Sequence, residues 1–113
     1  MSATDARREY EHAAVRNRLL RYAIELHAQS SDLAVRRRLP RIRAVCAVSD
    51  ANLRMLEQGL GSLTTPAQYD WSRRRSDPSA ARIVAMFGSW EVALNRAGLT
   101  GPIEIPVAAR RVS

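Results

Sequence analysis

Arginine is the residue type in this sequence with the clearest potential for chemistry. All 18 basic residues are arginine, and with only 11 acidic residues the formal net charge is +7. Clustered cations bind nucleic acid by releasing condensed counterions, and the guanidinium group binds phosphate through two hydrogen bonds and pairs with guanine edges. The charge therefore predicts a polyanionic partner. Codon bias in a GC-rich genome also replaces lysine by arginine, so the charge carries more weight than the choice of arginine.

Residues suited to hydrolysis or metal binding are scarce. The sequence has two histidines, His12 and His27, and a single cysteine, Cys46. Metal-dependent cleavage of a phosphodiester needs a cluster of His or carboxylate ligands, and a thiolate zinc site needs several Cys or His at short spacing. We interpret His12 as an exposed helix residue, His27 as a helix-end residue and Cys46 as a small buried hydrophobe. The sequence thus predicts a protein without enzymatic activity, cofactor or metal.

The composition is typical of a small helical protein. Of the 113 residues 46% are hydrophobic, 26% are charged and only 5% are aromatic, with five glycines and five prolines. This composition argues against a β-sandwich and against a low-complexity chain. One cysteine forms no internal disulfide, no apolar run reaches the roughly 18 residues of a membrane span, and the first residues lack the apolar segment of a signal peptide. We expect an all-α, cytoplasmic protein.

The first half of the chain predicts a long helix followed by shorter ones. A cap at Thr4 or Asp5 starts a helix that runs to about Ala28, with apolar residues near helical spacing. Asp32 then caps a short helix, LAVRRRL, which Pro40 ends or kinks.

The segment from 42 to 61 predicts a pair of helices. IRAVCAV is apolar and helical, Ser49 and Asp50 offer a turn and a cap, and Gly59 ends a second helix, ANLRMLEQ. A helix pair joined by a tight turn is the layout of a helix-turn-helix motif.

The second half predicts three helices. Thr65 caps the first, TTPAQYDWSRRR, and Asp77 caps the second, PSAARIVAMF, each with proline at the permitted first position. Gly88 ends the second helix, Ser89 caps the third, and Gly98 ends it. We expect Phe87 and Trp90, which flank this turn, to belong to the core that holds the two helices together.

An internal repeat relates the two halves. A shift of 39 positions places Gly98 on Gly59, Ser89 on Asp50 and Arg82 on Arg43, and the apolar pattern follows. The sequence therefore predicts an all-α fold of two tandem three-helix, helix-turn-helix-like units, residues 1–61 and 62–100. Residues 101–113 are predicted to form an extended tail, because two prolines and β-branched residues stand together there.

The segment YDWSRRRSDPSAARIVAMFGSWEVALNRAGL resembles the HNH-associated repeat of homing endonucleases, whose members carry a Tyr, a Pro-Ser helix start, FGSW and AL-x-x-AGL. The resemblance covers residues 65–99, while the first unit has AVSDA where FGSW would stand. It implies a small helical DNA-binding module, found beside nucleases and in proteins of actinobacteria and their phages. No nuclease motif accompanies it here.

Two classes of DNA contact follow from the residue types. The second helix of each pair enters the major groove in the usual docking geometry, where Asn, Arg and Gln read base edges. Arginines elsewhere bind phosphates, and the tail adds an arm along the backbone or minor groove. The predicted base readers are Asn52, Arg54 and Gln58 of the first unit and Ser89, Asn95 and Arg96 of the second. The predicted phosphate contacts are Arg36, Arg37, Arg43, Arg73, Arg74, Arg75, Arg82, Arg110 and Arg111.

The sequence thus predicts a sequence-specific double-stranded DNA-binding protein associated with the nucleoid, a regulator of transcription or of phage or plasmid functions. Arg54 of the first unit is expected to provide the sequence specificity, and the second unit is expected to provide the family-type docking through Arg82, Ser89 and Arg96. The alternative is a helical adaptor whose long first helix docks on a polymerase or nuclease. A homodimer or a protein partner bound through the first helix or the tail is compatible with either.

Overall fold

The structure is a computed structural model that describes residues 3–99. Within this range the regular structure is helical, which confirms the predicted all-α class. The predicted tail, with Arg110 and Arg111, lies outside the described residues. The helices are α1 (Ala3–Gln29), α2 (Leu33–Arg36), α3 (Leu39–Glu57), α4 (Pro66–Ser72), α5 (Ala80–Phe87) and α6 (Trp90–Arg96).

The two longest helices, α1 and α3, pack antiparallel. Near the start of α1, the hydroxyl of Tyr10 donates a hydrogen bond of 3.2 Å to Glu57 at the end of α3. Halfway along both helices, the buried amide of Asn17 donates to Ser49 at 3.2 Å and to Asp50 at 2.7 Å. Arg21 completes this contact with an ion pair of 2.7 Å to Asp50.

The predicted turn at Ser49 and Asp50 is wrong, because α3 continues through both residues. Their side chains accept hydrogen bonds from α1 instead of capping a new helix. In the alignment of the two halves, Ser49 stands where the second unit has Gly88. That glycine has φ of 92°, and within the described chain positive φ occurs only at glycines. Without a glycine at the turn, the helix continues.

The second unit forms the three predicted helices. Thr65 and Gln68 make a reciprocal capping box at the start of α4. Gly88 ends α5, and the hydroxyl of Ser89 caps α6 by accepting from the backbone N–H of Val92 at 3.1 Å. The α5–α6 pair therefore consists of two short helices joined by a tight turn at Gly88 and Ser89.

Several predicted helix boundaries need correction. Helix α4 ends at Ser72, so the arginines at 73–75 lie in a loop. Ser79, not Asp77, caps α5. Asp32 caps α2 as predicted, but Pro40 lies at the second position of α3, where its missing N–H has no helical partner to lose. Helix α1 starts at Ala3, which places the predicted caps inside its first turn.

A single hydrophobic core joins both predicted units, with α3 at its centre. Helices α4 to α6 contribute Tyr69, Ile83, Trp90 and Leu94 to the same cluster as the buried face of α3. The rings of Tyr69 and Trp90 lie 5.6 Å apart, and the Trp90 indole N–H donates to the carbonyl of Thr64 at 3.1 Å. Phe87 packs against this cluster. The predicted scaffold role of Phe87 and Trp90 is confirmed.

Burial also governs the two ionisable groups closest to this core. The Tyr69 hydroxyl donates to the carbonyl of Pro78 at 2.7 Å, and burial raises its pKa above the ordinary value. Burial likewise raises the pKa of the Cys46 thiol, with a smaller contribution from Asp50. Both groups are neutral near pH 7, which supports the interpretation of Cys46 as a packed hydrophobe.

Two glycines provide a matched test of how the helix ends are held. Gly59 and Gly98 share φ of 74°, but a Cβ at Gly59 would meet nothing within 4 Å, whereas a Cβ at Gly98 would lie 2.7 Å from Cδ of Arg16. We expect Gly59→Ala to cost about 1 kcal/mol of unfolding free energy from backbone strain alone. Gly98→Ala should cost clearly more, because Arg16 must also move. Urea unfolding of both variants measures the difference in unfolding free energy. Equal losses would show that the Arg16 side chain moves aside at no measurable cost in stability.

Candidate nucleic-acid interface

The fold brings four of the predicted arginines together around one cleft, which we call the arginine cleft. It is open to solvent, has a volume of about 530 Å³, and lies between the start of α3, the α4–α5 loop and the first turns of α5. Its arginines are Arg43, Arg73, Arg75 and Arg82. The lining includes one carboxylate, that of Asp77. The cleft is therefore a concave and positively charged surface.

The α4–α5 loop that forms one wall is braced by its own side chains. Arg73 makes an ion pair of 3.2 Å with Asp70 and donates to the carbonyl of Asp77 at 2.8 Å. Asp70 also accepts from the backbone N–H of Ala80 at 2.9 Å, and Asp77 accepts from that of Arg74 at 3.2 Å. The prediction of Arg73 as a phosphate clamp is corrected accordingly, since its hydrogen-bonding groups hold the loop.

The other three arginines of the cleft present their guanidinium groups to solvent. Arg43, Arg75 and Arg82 are exposed, and none of them forms an ion pair with another described residue. Arg82 occupies the first turn of α5, where its backbone N–H donates to the capping hydroxyl of Ser79 at 3.2 Å. The partial positive charge at this helix end adds to that of the side chains. The arrangement suits an anion with several oxygens, such as a phosphodiester.

A second, smaller cleft extends the positive surface on the other side of the loop. Arg43 also borders this cleft of about 280 Å³, together with Arg21 and Arg74. Here Asp50 and Asp77 offset part of the charge, and Arg21 is paired with Asp50. Arg74 is exposed. The predicted phosphate contacts of the second unit thus lie beside Arg43 of the first.

Two of the three base readers predicted in the first unit, Asn52 and Arg54, are wrong. Asn52 is only 2% exposed, and its amide oxygen accepts a hydrogen bond of 2.7 Å from the backbone N–H of Leu63. Arg54 is half-buried and donates to the last carbonyl of α4, that of Ser72, at 2.8 Å. Because α3 has no turn, these residues belong to a central helix covered by the following loop and α4. They cannot reach a base edge in this fold.

The remaining predicted residues lie away from the arginine cleft. Gln58 is exposed, but it follows the far end of α3, 15 residues and about 22 Å from Arg43 along the helix axis. Arg36 and Arg37 are exposed at the end of α2, ahead of α3. Neither residue lines the cleft, and their role as phosphate contacts stays a prediction.

On α6 the predicted residues divide between capping and exposure. The Ser89 hydroxyl is used as the helix cap, whereas Asn95 and Arg96 are exposed. The Arg96 guanidinium lies 6.0 Å from the ring centroid of Phe87, within the range of a cation–π contact. Of the base readers predicted in the second unit, Asn95 and Arg96 are therefore the two that lie at the exposed surface of α6.

Two exposed residues, Arg41 and Trp71, were not predicted from the sequence as contact residues. Arg41 donates to the carbonyl of Met86 at 3.5 Å, and Met86 lines the cleft. Trp71 is 71% exposed on the last turn of α4. Its position was predictable, because two residues along a helix correspond to about 200° of rotation from the buried Tyr69.

The histidines do not assemble a metal site. His12 is exposed, and Nδ1 of His27 lies 2.8 Å from the carbonyl oxygen of Ala23. Across the part of the chain that the structure describes, no three His, Cys, Asp or Glu side chains are grouped to hold a metal ion. Nor does any helix within residues 3–99 combine the length and apolar character needed to cross a membrane.

Comparisons of the chain with models of known protein families, with curated proteins and with solved structures find no match. The resemblance of residues 65–99 to the HNH-associated repeat stays a prediction. Function is therefore inferred from the arginine cleft and the adjoining helix pair.

Replacement of Asn52 tests its assignment to the core. Asn52→Ala leaves the backbone N–H of Leu63 without its partner in the interior, and we expect a loss of about 1 to 3 kcal/mol in unfolding free energy. Gln58→Ala, at an exposed site on the same helix end, should change stability little. Urea unfolding measures both variants. If Asn52→Ala left the unfolding free energy unchanged and altered the DNA sequence preference, Asn52 would be a DNA-contact residue and not a core residue.

Proposed function

We propose that the protein is a sequence-specific double-stranded DNA-binding protein of the nucleoid that regulates transcription or phage or plasmid functions. The observation that carries this proposal is the arginine cleft, where three exposed arginines adjoin a short helix-turn-helix. None of these three side chains forms an ion pair with another described residue, although the Asp77 carboxylate lines the same cleft. Several cations held near one another bind a polyanion by releasing its condensed counterions.

The position of the cleft fits the backbone-binding part of a helix-turn-helix. In such motifs the first helix of the pair crosses the DNA backbone while the second enters the major groove. Helix α5 is the first helix here, and Arg82 lies in its first turn beside Arg75 and Arg43. These three residues are proposed as the phosphate contacts that set the orientation of the protein on the duplex.

Base recognition is proposed for α6 instead of the first unit. Asn95 and Arg96 are exposed on this helix, and their side chains suit adenine and guanine edges respectively. Glu91 is also exposed in the first turn of α6, where a carboxylate stabilises the helix end. The second unit then supplies both the phosphate contacts of α5 and the base contacts of α6.

A matched pair of double variants tests the cleft. Arg75→Gln with Arg82→Gln, and Arg7→Gln with Arg8→Gln, each lower the net charge from +7 to +5. Arg7 and Arg8 are exposed near the start of α1, away from the cleft. We expect only the cleft variant to reduce the slope of log K against log salt, by about 2, because two phosphate contacts are lost. Fluorescence anisotropy with a labelled random duplex measures the slopes. Equal effects would mean that binding senses only net charge.

The role of α6 is tested after selection of preferred sites from a random duplex library. Arg96→Ala should cost about 1 to 3 kcal/mol at the selected site and less at random DNA, because a bidentate base contact is lost. Arg75→Ala should weaken both duplexes alike. Competition binding measures, for each variant, the loss of affinity relative to the wild type at the selected site and at random DNA. Uniform losses for Arg96→Ala would make it a backbone contact, and failure to enrich any sequence would contradict specific recognition.

A further inference from the structure

The outward face of α1 carries a row of apolar side chains that no described residue covers. Val15, Leu19, Tyr22 and Leu26 are 47%, 64%, 59% and 50% exposed. Their spacing of four, three and four residues keeps them on one side of the helix. We call this row the α1 stripe.

The α1 stripe lies opposite the face by which α1 joins the fold. That inner face carries the buried Ala13 and Asn17 and the half-buried Leu20, which packs against the core. At 100° per residue, the mean direction of the stripe is about 160° from that of the inner face. The stripe is therefore not an edge of the protein's own core, and covering it requires another surface.

The spacing of the stripe identifies a helix as the surface that fits it. Apolar residues separated alternately by three and four positions form the contact seam between two helices that pack side by side. A second copy of α1 offers the same seam. Two identical surfaces that pair through a twofold axis form a closed dimer, the commonest arrangement of soluble homo-oligomers.

The charges beside the stripe distinguish an antiparallel from a parallel pair. When Leu19 packs opposite the partner's Tyr22, the antiparallel register places Arg18 opposite the partner's Glu25, and the twofold axis repeats this pair. Both side chains are exposed. The antiparallel register thus gains two complementary contacts along one side of the seam.

The parallel register lacks an equivalent gain. It places Arg18 opposite the partner's Ala23 and Glu25 opposite the partner's Ser30, neither of which is charged. Its complementary pair is Glu11 with the partner's Arg16. However, Arg16 is half-buried and packs so closely on Gly98 that a Cβ there would lie 2.7 Å from its Cδ. The Arg16 side chain therefore packs within its own chain, which disfavours its contact with a partner's Glu11 in the parallel register.

We propose that the protein forms an antiparallel homodimer through the α1 stripe, with reciprocal contacts between Arg18 and the partner's Glu25. The seam from Val15 to Leu26 extends about 17 Å. An interface this short is expected to associate reversibly with protein concentration. The proposal does not depend on DNA binding, since no residue of the arginine cleft takes part.

Sedimentation equilibrium over a range of concentrations tests the dimer with the full chain. Leu19→Glu and Tyr22→Glu should each weaken self-association at least tenfold, because they place a carboxylate in the seam. Leu60→Glu changes an apolar side chain of similar exposure, 52%, outside α1 and should leave association unchanged. Circular dichroism and thermal melting verify that each variant is folded. A wild-type chain that stays monomeric throughout, or an equal loss with Leu60→Glu, would overturn the proposal.

Charge reversal tests the antiparallel register separately. Arg18→Glu and Glu25→Arg should each weaken the dimer about threefold or more, because each creates two like-charged contacts. The double variant restores opposite charges in the antiparallel register and should recover most of the wild-type association. In the parallel register these residues do not face each other, so a double variant without recovery would overturn the antiparallel arrangement.

Discussion

Burial of α3 on two sides is the constraint on which the rest of the structure depends. Residues 44–49 are buried without interruption, which requires cover around the whole helix and not along one stripe. Helix α1 supplies one side and the α4–α6 unit supplies the other. The hydroxyl residue within this run, Ser49, is satisfied across the interface, where it accepts from Asn17. The two units predicted from the sequence are consequently held together by a helix that belongs to both sides of the fold.

This central helix also determines where the arginines assemble. Arg43 extends from the exposed side of α3 near its start, and the α4–α5 loop passes beside it on the way to α5. The loop keeps its position because Arg73 is bonded to Asp70 and to the carbonyl of Asp77. Arg73 therefore holds in place the α4–α5 loop, which carries the exposed Arg75 at the side of the cleft. A charged cleft needs such bracing, because exposed like charges repel one another and do not stabilise the loop that carries them.

Local sequence signals predicted the second unit well and the first unit poorly, for physical reasons. Gly88, Ser89 and Gly98 act within a few residues of themselves, so the boundaries that they set are readable without knowledge of the fold. Ser49 and Asp50 carry the same local signal as a cap, but their hydrogen-bond partners come from α1, some 30 positions earlier. Asn52 was mistaken for a base reader for the same reason. Tertiary contacts decided its role, and no local pattern reports them.

In helix α1, the spacing of apolar residues does not by itself predict which face is buried, because apolar residues occupy both faces. The sequence predicted one set of apolar residues near helical spacing along this helix, whereas the structure separates a buried inner face from the exposed α1 stripe. The arginines show the same division within one residue type. Arg54 and Arg73 each donate a hydrogen bond to a backbone carbonyl and hold the fold, while Arg75 and Arg82 are exposed. A guanidinium bonded to the protein's own backbone has fewer donors left for an anion, so exposure and bonding, not residue type, separate structural arginines from those available to a phosphate.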